Sequence, residues 1–429
     1  MKSVYLSIIF FSLLGIISCQ PGKETYTATL ADSTVAETTS PYLTHDNNGN
    51  AVLCWTAKGP SDSLYRLKYA IFDSEVGKFK ATVTVPGSAG TSVSAESMNK
   101  VAFKSDGTVI AVFAKRFENE KNPYAGAIYY STSFDNGKNW TKENYLHSDT
   151  SHTYGRSFFD LSVLKNGEIA AIWLDGRYGK SIKGSALFFS ATSKGKGFGV
   201  DTCLEKGTCE CCRTALLTDK QGAIHIAYRS ITYPAAMLGK QVRDMVYTVS
   251  KDNGRTFLPV KALSKDNWAI EGCPHSGPSL AAGSKGINAV WFTSGGTPGI
   301  YYSNSSYSST AFSPRSLLSA AGRHPQLIPI SDDKLAFICE ESSSVHHEAG
   351  MEIKSHAGMN MNHNHSPASA SKIILRILSN GNEERSIAVT SGKFAEHHAV
   401  ATRVGNKILA AWVREEKGKE TVYYSLIKL

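Results

Sequence analysis

The sequence predicts an all-β protein, namely a β-propeller built from four-stranded antiparallel blades. One pattern recurs seven times along the 429 residues: an apolar strand, a turn rich in Gly, Asp or Asn, and a second apolar strand ending near an aromatic residue. Gly, Asn and Asp tolerate the positive φ of tight hairpins, and such repeats are typical of propeller blades. The seven copies are Pro41–Thr56, Asn99–Ala114, Phe158–Leu174, Arg213–Arg229, Ser279–Thr293, Pro325–Cys339 and Ala399–Val413.

The two ends of the chain are predicted to meet in one blade. The last copy is followed by a single further strand, Thr421–Ser425, whereas the strand Thr25–Leu30 precedes the first copy. Pairing of these strands would complete the last blade and remove an exposed sheet edge. We therefore predict one closed ring of seven blades within residues 19–429.

The N-terminal segment has the features of an export signal. Lys2 precedes an apolar run from Val4 to Ile17, which is shorter than the roughly 20 residues of a bilayer span and suits a secretory signal. The run Gly15–Cys19 resembles the lipobox of bacterial lipoproteins, which implies removal of residues 1–18 and a lipid on Cys19. The alternative is an ordinary signal peptide followed by an unrelated cysteine. We expect a monomer in the bacterial cell envelope, facing the periplasm or the outer surface and touching the membrane only through its lipid anchor.

The charge distribution excludes one class of partner and favours another. The net charge of +9 is modest for this length, and the basic residues are scattered. Nucleic-acid binding would require a basic stripe or patch. A mildly cationic surface instead favours an anionic glycan or another anionic small molecule.

Two turns carry a more specific signal. Ser133–Trp140 and Ser250–Phe257 both read Ser-x-Asp-x-Gly-x-x-aromatic, which resembles the Asp-box (BNR repeat) of the sialidase superfamily. The resemblance implies a sialidase-like propeller, with six blades as in sialidases as the alternative to seven. It also implies an exo-sialidase-like glycoside hydrolase, with an arginine triad, a Tyr–Glu nucleophile and an Asp acid/base. The early Arg-Ile-Pro motif of that family is absent, and no Tyr–Glu pair can be assigned.

Chemistry is expected at one end of the ring. In an antiparallel four-stranded blade, the second turn and the link to the next blade lie at the same end, around the mouth of the central channel. Polar residues at this end include Arg213, His324, Glu340 and His398. Because the guanidinium fork binds carboxylates bidentately, the candidate catalytic set is Arg156, Asp175, Arg177, Arg229 and Arg323. The alternative is that these arginines brace loops through ion pairs.

The cysteines fall into two groups. Cys54 and Cys339 lie in apolar strands and are predicted core residues. The second group is Cys203, Cys209, Cys211, Cys212 and Cys273, of which the last four lie at two neighbouring blade entries, together with His275. This combination resembles a subset of bacterial sialidase-like lipoproteins with a Cys-x-Cys-Cys motif. An oxidising compartment favours at least one disulfide in the cluster. The other interpretation is a soft-metal site of thiolates and His275.

An insert at residues 342–370 suggests copper, the one candidate cofactor of the chain. Its ligand residues are His346, His347, His356, Met359, Met361, His363 and His365. Thioether and imidazole groups favour copper, whereas the alternative is a polar low-complexity loop. Three functions therefore stay open: a glycan-active hydrolase, a copper-binding or metal-handling envelope lipoprotein, and a non-catalytic binding propeller.

The lipidation hypothesis predicts a simple change in localisation. Cys19→Ala removes the residue that would carry the lipid, so the variant should leave the membrane fraction. Fractionation with lipid labelling measures this. Retention of the variant on membranes, with no lipid label on the wild type, would contradict the hypothesis.

Overall fold

The computed structural model describes residues 26–35, 37–235, 240–270, 272, 274–342 and 370–429, and its sheets form a ring of seven antiparallel blades. The predicted all-β propeller and its blade number are therefore confirmed. The only helical segments in these ranges are two short 3-10 turns, Pro86–Ser88 and Gly179–Ser181. No helix in the described part of the chain has the length and apolarity to cross a membrane.

The first four blades follow each other along the chain, with the first strand of each blade innermost. Blade 1 has Thr38–His45, Ala51–Lys58, Tyr65–Asp73 and the short strands Lys78–Phe79 and Val83–Thr84. Blade 2 has Lys100–Phe103, Val109–Arg116, Gly126–Ser133 and Asn144–Tyr145. Blade 3 has Arg156–Val163, Ile169–Asp175, Ser185–Ala191 and Thr202–Thr208. Blade 4 has Ala215–Thr218, Ile224–Arg229, Met245–Ser250 and Lys261–Ala262, with a side hairpin of Thr232–Ala235 and Lys240–Val242.

The last three blades complete the ring and join the chain ends. Blade 5 has Ser279–Ala282, Gly286–Thr293, Gly299–Ser306 and Ser316–Ser319. Blade 6 has Gly322–Pro329, Lys334–Ser342, Ser371–Ser379 and Asn382–Ala388. Blade 7 has Ala395–Val404, Lys407–Glu416, Lys419–Lys428 and, as its outer strand, Thr29–Leu30. Thr29 pairs with Tyr424 and Leu30 with Tyr423, which is the predicted closure.

The apolar core lies between the blades. Seven clusters of buried residues each span two neighbouring blades: Trp412 packs with Ile338 of blade 6, and Trp55 packs with Val413 of blade 7. Cys54 and Cys339 are fully buried in two of these clusters, as expected for core residues. Because both faces of every sheet are covered, the second strands read as nearly continuous apolar runs.

The two Ser-x-Asp-x-Gly turns share one hydrogen-bond pattern. Ser133 Oγ donates to Asp135 Oδ1 at 2.9 Å and accepts the Gly137 N–H at 2.8 Å. Ser250 makes the same two bonds to Asp252 and Gly254, at 2.8 and 2.9 Å. Gly254 has φ 86°, and a Cβ atom there would lie 2.5 Å from the Phe189 ring. Glycine is therefore required where this turn packs under the neighbouring blade.

A second repeated arrangement, which we call the tryptophan clamp, occurs in three blades. It lies at the end of the ring where chemistry is expected. In blade 7 the Trp412 indole N–H donates to Glu396 Oε1 at 3.1 Å, and Arg414 Nη2 donates to the same oxygen at 2.8 Å. The Arg414 guanidinium also lies 4.3 Å from the centre of the Tyr423 ring, which stacks on Trp412 across the strand pair. The carboxylate thus satisfies a buried indole, and the arginine neutralises the carboxylate.

The same three groups recur in two further blades. They are Trp173, Asp175 and Arg177 in blade 3, and Trp291, Asp266 and Arg315 in blade 5. The arginine again lies over the ring opposite the tryptophan, Phe188 in blade 3 and Tyr301 in blade 5. Arginines at this end of the ring therefore have a structural role in several blades.

The clamp predicts a large stability loss from one isosteric change. Glu396→Gln keeps the shape but removes the charge that compensates Arg414, and the Glu396 side chain is fully buried. Removing one partner of a buried pair costs roughly 3 kcal/mol, which urea unfolding would measure. The matched control Glu384→Gln, in an exposed ion pair with Lys334, should cost far less, because solvent screens an exposed pair. Equal costs for the two variants would contradict the clamp's role.

Candidate active site at the channel mouth

The inner strands of four blades have a register shift, or β-bulge, near their first residues. This is the end of the ring where chemistry is expected. The pairing register shifts near Ser40, Phe158, His324 and His398. These residues adopt positive φ values of 54°, 55°, 46° and 52°, which residues other than glycine rarely do. Such bulges re-aim side chains and are frequent beside active sites. They place two histidines from neighbouring blades at the channel mouth.

His324 of blade 6 forms an ion pair with Glu340 of the adjacent strand. Its Nδ1 atom contacts Glu340 Oε1, and its Nε2–H donates to the carbonyl oxygen of His275 at 3.1 Å. Burial opposes the charged imidazolium, but the Glu340 carboxylate outweighs it and raises the pKa of His324 to about 9. The pKa of Glu340 is lowered despite its burial, because His324 and its neighbours attract the carboxylate. The dyad is therefore a charged pair at neutral pH.

His398 of blade 7 packs against this dyad in the neutral state. Its backbone N–H donates to Glu340 Oε2 at 2.6 Å, and its ring centre lies 4.4 Å from that of His324. Its Nδ1 atom lies 2.6 Å from Nδ1 of His397. Burial, followed by the charge of His324, lowers the pKa of His398 well below 6.5. A neutral imidazole beside a charged one provides a proton acceptor next to a proton donor.

Glu96, from the link between blades 1 and 2, lies beside the His324–Glu340 dyad. One of its oxygens lies 3.7 Å from His324 Nε2 and the other 3.8 Å from Arg213 Nε. The residue is only 6% exposed, yet neither oxygen accepts a hydrogen bond from the described residues. A buried carboxylate without hydrogen bonds is costly, and such a group is suited to receive a proton or a donor from a ligand.

A second ion pair lies beside Glu96 and Arg213. Lys100 of blade 2 is buried, with Nζ 4.0 Å from Asp160 Oδ1 and 4.9 Å from the centre of the Tyr42 ring. Its ammonium also donates to the Phe159 carbonyl oxygen at 2.8 Å. Burial lowers the pKa of Lys100 to about 8 and raises that of Asp160. These groups extend the charged network across blades 2 and 3.

The network is only partly exposed to solvent. The side chains of Asp160, Arg213 and His324 are 16% to 18% exposed, whereas both carboxylate oxygens of Glu96 are buried. The site thus combines a charged acid, a neutral imidazole, the carboxyl group of Glu96 and one partly exposed guanidinium. This set can transfer protons and bind a carboxylate.

The residues fit a metal ion less well. The candidate ligand atoms of Glu96, His324 and His398 lie within 4.8 Å of one another, a set that suits a divalent cation. However, both nitrogens of His324 already act as donors, to Glu340 and to the His275 carbonyl, and a metal ligand needs a free lone pair. Arg213 beside Glu96 further disfavours a cation. Acid–base chemistry therefore suits this cluster better.

The three residues of blade 3 that the sequence predicts to be catalytic lie together, but they form ion pairs with one another and with neighbouring loops. Arg156 contacts Asp149 at 2.7 Å and Asp175 at 3.3 Å. Arg177 contacts Asp175 and Asp201, each at 2.6 Å. Asp175 and Arg156 have fully buried side chains. All three residues thus contact one another or neighbouring loops, as the alternative interpretation expects.

The two other predicted arginines lie apart from this group. Arg229 is buried and donates to the carbonyl oxygens of Arg243, Ser276 and Phe292 at 2.6 to 3.1 Å. Arg323 is exposed, with its guanidinium 3.9 Å from the centre of the Phe292 ring. The five predicted residues therefore do not converge on one point.

A tyrosine–glutamate contact occurs in blade 1. The Tyr65 hydroxyl donates to Glu37, which also binds Lys58 Nζ at 3.1 Å. Burial, together with the neighbouring Glu37 carboxylate, raises the pKa of Tyr65. A nucleophilic phenol needs the opposite change, because the phenolate must become accessible. The contact therefore lacks the activation expected of a sialidase-type nucleophile.

The cysteine cluster lies against the bulge residue Phe158 of blade 3. Cys211 is disulfide-bonded, whereas Cys209 and Cys212 are free thiols. A disulfide within the cluster stays a prediction. Hydrogen bonding from Cys212, followed by the charge of Arg243, lowers the pKa of Cys209 to about 6, whereas burial raises that of Cys212. His275 contributes its carbonyl oxygen to His324.

Several predicted ligands cannot be placed. Cys19, Cys273 and the Met/His residues of the insert, His346, His347, His356, Met359, Met361, His363 and His365, lie outside the described residues. Their proposed roles in lipidation and copper binding stay predictions.

Sequence reasoning missed Glu96, Lys100 and Asp160. Lys100 and Asp160 interrupt apolar inner strands, Lys100–Phe103 and Arg156–Val163, and a charged residue in such a strand is a usable signal. Glu96 lies in a polar link with no such pattern.

Comparison with known proteins supports the fold alone. No family model matches the chain, and no curated protein matches it. Among solved structures, the polysaccharide lyase Uly1 aligns with a TM-score of 0.53 at 11% identity, covering 96% of this chain and 94% of that one. A Dyadobacter fermentans protein of unknown function aligns at 0.46 and 15% identity, covering 78% and 94% of the two chains. The Hadza microbial sialidase Hz136 aligns at 0.47 and 12%, covering 89% and 77%.

The histidine dyad predicts a pH dependence of stability. The pKa of His324 is about 9 when folded and 6.5 in the reference state, so the folded protein holds the proton more tightly. The contribution, up to about 3 kcal/mol, is complete below pH 6.5 and is lost as the pH rises through 9. Urea unfolding across this range should show the stability of the wild type relative to His324→Gln falling as the pH rises, whereas the lowered pKa values of Cys209 and Lys100 act in the opposite direction but alike in both proteins. Identical profiles would contradict the charged dyad.

Proposed function

We propose that this protein is an enzyme that cleaves glycans carrying carboxylate groups, by proton transfer at the channel mouth. The observation that carries the proposal is the close grouping of the charged His324–Glu340 dyad, neutral His398 and the unsatisfied Glu96. Ligand atoms of Glu96, His324 and His398 lie within 4.8 Å of one another. This grouping supplies one proton donor and two acceptors, as general acid–base catalysis needs, and the His324 side chain is partly exposed to solvent.

The roles follow from charge and position. His324, held by Glu340, donates the proton, and His398 or Glu96 accepts one. Arg213 is the accessible cation that would bind the substrate carboxylate, since guanidinium recognises such groups bidentately. Lys100 and Asp160 lie beside Glu96 and Arg213 and hold them in position. The fold shared with a polysaccharide lyase is compatible with a glycan substrate, as is the cationic surface.

The finer sialidase interpretation has less support from the residues. The arginines at 156, 177 and 229 are engaged with protein groups, and the Tyr65–Glu37 contact raises rather than lowers the pKa of the phenol. We therefore expect weak turnover of simple aryl sialosides at most. Export to the cell envelope and anchoring through Cys19 are part of the proposal and rest on the leader sequence.

Glycan cleavage and its site can be tested together. Purified protein would be incubated with sialylated oligosaccharides and with uronate polysaccharides, and the products analysed by mass spectrometry. Products that gain one water indicate hydrolysis, and products without that gain indicate elimination. Glu96→Gln and His398→Asn should each lower turnover by roughly 100-fold or more, since general acid–base groups contribute about 10²- to 10⁴-fold.

The control is Glu384→Gln, the same chemical change in an exposed ion pair with Lys334. It should keep wild-type turnover. Cleavage of neither glycan class, or full activity in both site variants, would overturn the proposal.

A further inference from the structure

Cys209 and Cys212 form a buried pair of thiols that the proton-transfer chemistry does not use. Their sulfur atoms are 3.4 Å apart, at the Cys-x-x-Cys spacing. Both thiols are free, and the residues are only 1% and 2% exposed. Two thiols facing each other in one short loop are arranged to act together on a single ligand.

We infer that Cys209 and Cys212 bind one Cu(I) ion as a two-coordinate dithiolate. Soft thiolate sulfur favours Cu(I) over harder cations. Cys211 lies within 4.8 Å of both sulfurs, but its sulfur is committed to a disulfide and offers no thiolate. Zn²⁺ takes four ligands in structural sites, and among the described residues only two free thiols meet here. The site therefore selects a soft ion of low coordination number.

The surrounding charge matches this complex. Two thiolates and one Cu(I) carry a net charge of −1, which is costly to bury without a partner. Arg243 donates from Nη1 to Cys209 Sγ at 3.0 Å, and Arg243 is itself only 4% exposed. The Cys209 backbone N–H is bonded at 2.9 Å to the carbonyl oxygen of buried Arg229. The Arg243 guanidinium is thus fixed where the anionic complex needs compensation.

Metal entry requires a small change in the loop. A metal–thiolate bond of about 2.3 Å places the two sulfurs of a near-linear complex roughly 4.6 Å apart. The observed pair, at 3.4 Å, must therefore open by about 1.2 Å. Glu210, between the cysteines, is exposed, so the loop lies at the surface. Each thiol still protonated releases its proton to solvent on binding, and no oxidation state changes.

The experiment is Cu(I) titration of the full mature chain, with the ion supplied as its bicinchoninate complex under anaerobic, mildly reducing conditions. Wild-type protein should bind one more Cu(I) than the variant Cys209→Ser/Cys212→Ser, although both carry the same Met/His insert. The matched control Cys203→Ser, which removes a free, half-buried thiol, should bind as wild type. Arg243→Met should keep the stoichiometry but weaken the affinity at least tenfold.

A second measurement uses only the wild-type protein and so does not depend on the variants folding. Bound Cu(I) should protect Cys209 and Cys212 from alkylation under mild denaturation, as mapped by peptide mass spectrometry, whereas Zn²⁺ should protect them less. Equal stoichiometry in wild type and double variant would overturn the inference. So would a Cys209–Cys212 disulfide formed on copper addition, since the pair would then be a redox couple instead of a metal site.

Discussion

Each blade is a sheet with two apolar faces, and both faces must be buried against a neighbour. At about 25 cal/mol per Å² of apolar surface, leaving one face in water would cost more than the net stability of a domain. A ring is the arrangement in which every face has a neighbour. The seven inter-blade cores, with Trp55, Trp173, Trp291 and Trp412 fully buried, follow from this constraint. So does closure, because Thr29–Leu30 completes the blade built by the last three strands.

Burying tryptophans creates a polar requirement at the functional end. An indole N–H without an acceptor is costly, and three blades satisfy it with a buried carboxylate that an arginine then neutralises. This explains why the end that is expected to carry chemistry is rich in arginine even where no ligand binds. Trp55 is the exception, since its N–H has no acceptor among the described residues. Arg213 and Glu96 lie outside the clamps, and neither Glu96 oxygen has a hydrogen-bond partner among the described residues.

The fold was predictable from local sequence because its determinants are local. Turn glycines and apolar second strands identify each blade, and the short last unit predicts closure. The sequence also placed Arg213, His324, Glu340 and His398 at the functional end. The sequence does not distinguish a structural from a ligand-binding role for Arg156 or Arg177. Their partners Asp149 and Asp201 lie in loops whose sequences have no recognisable repeat or periodicity. Glu96 was missed for the same reason: its partners Arg213 and His324 lie far along the chain, at the starts of blades 4 and 6.

The mouth and the thiol pair are joined by a single peptide bond, between Cys212 and Arg213. With the pKa of Cys209 at about 6, the free pair already carries one negative charge at neutral pH, which equals the net charge of the dithiolate complex. Metal binding therefore leaves the net charge beside Arg213 unchanged. The link between the two sites is mechanical: Phe158 packs on the cysteine cluster while its N–H is held by Ser97 Oγ at 2.7 Å, next to Glu96. Opening of the thiol pair around a metal ion would therefore reach the mouth through Phe158 and the Cys212–Arg213 peptide bond, as a shift of position and not as a change of charge.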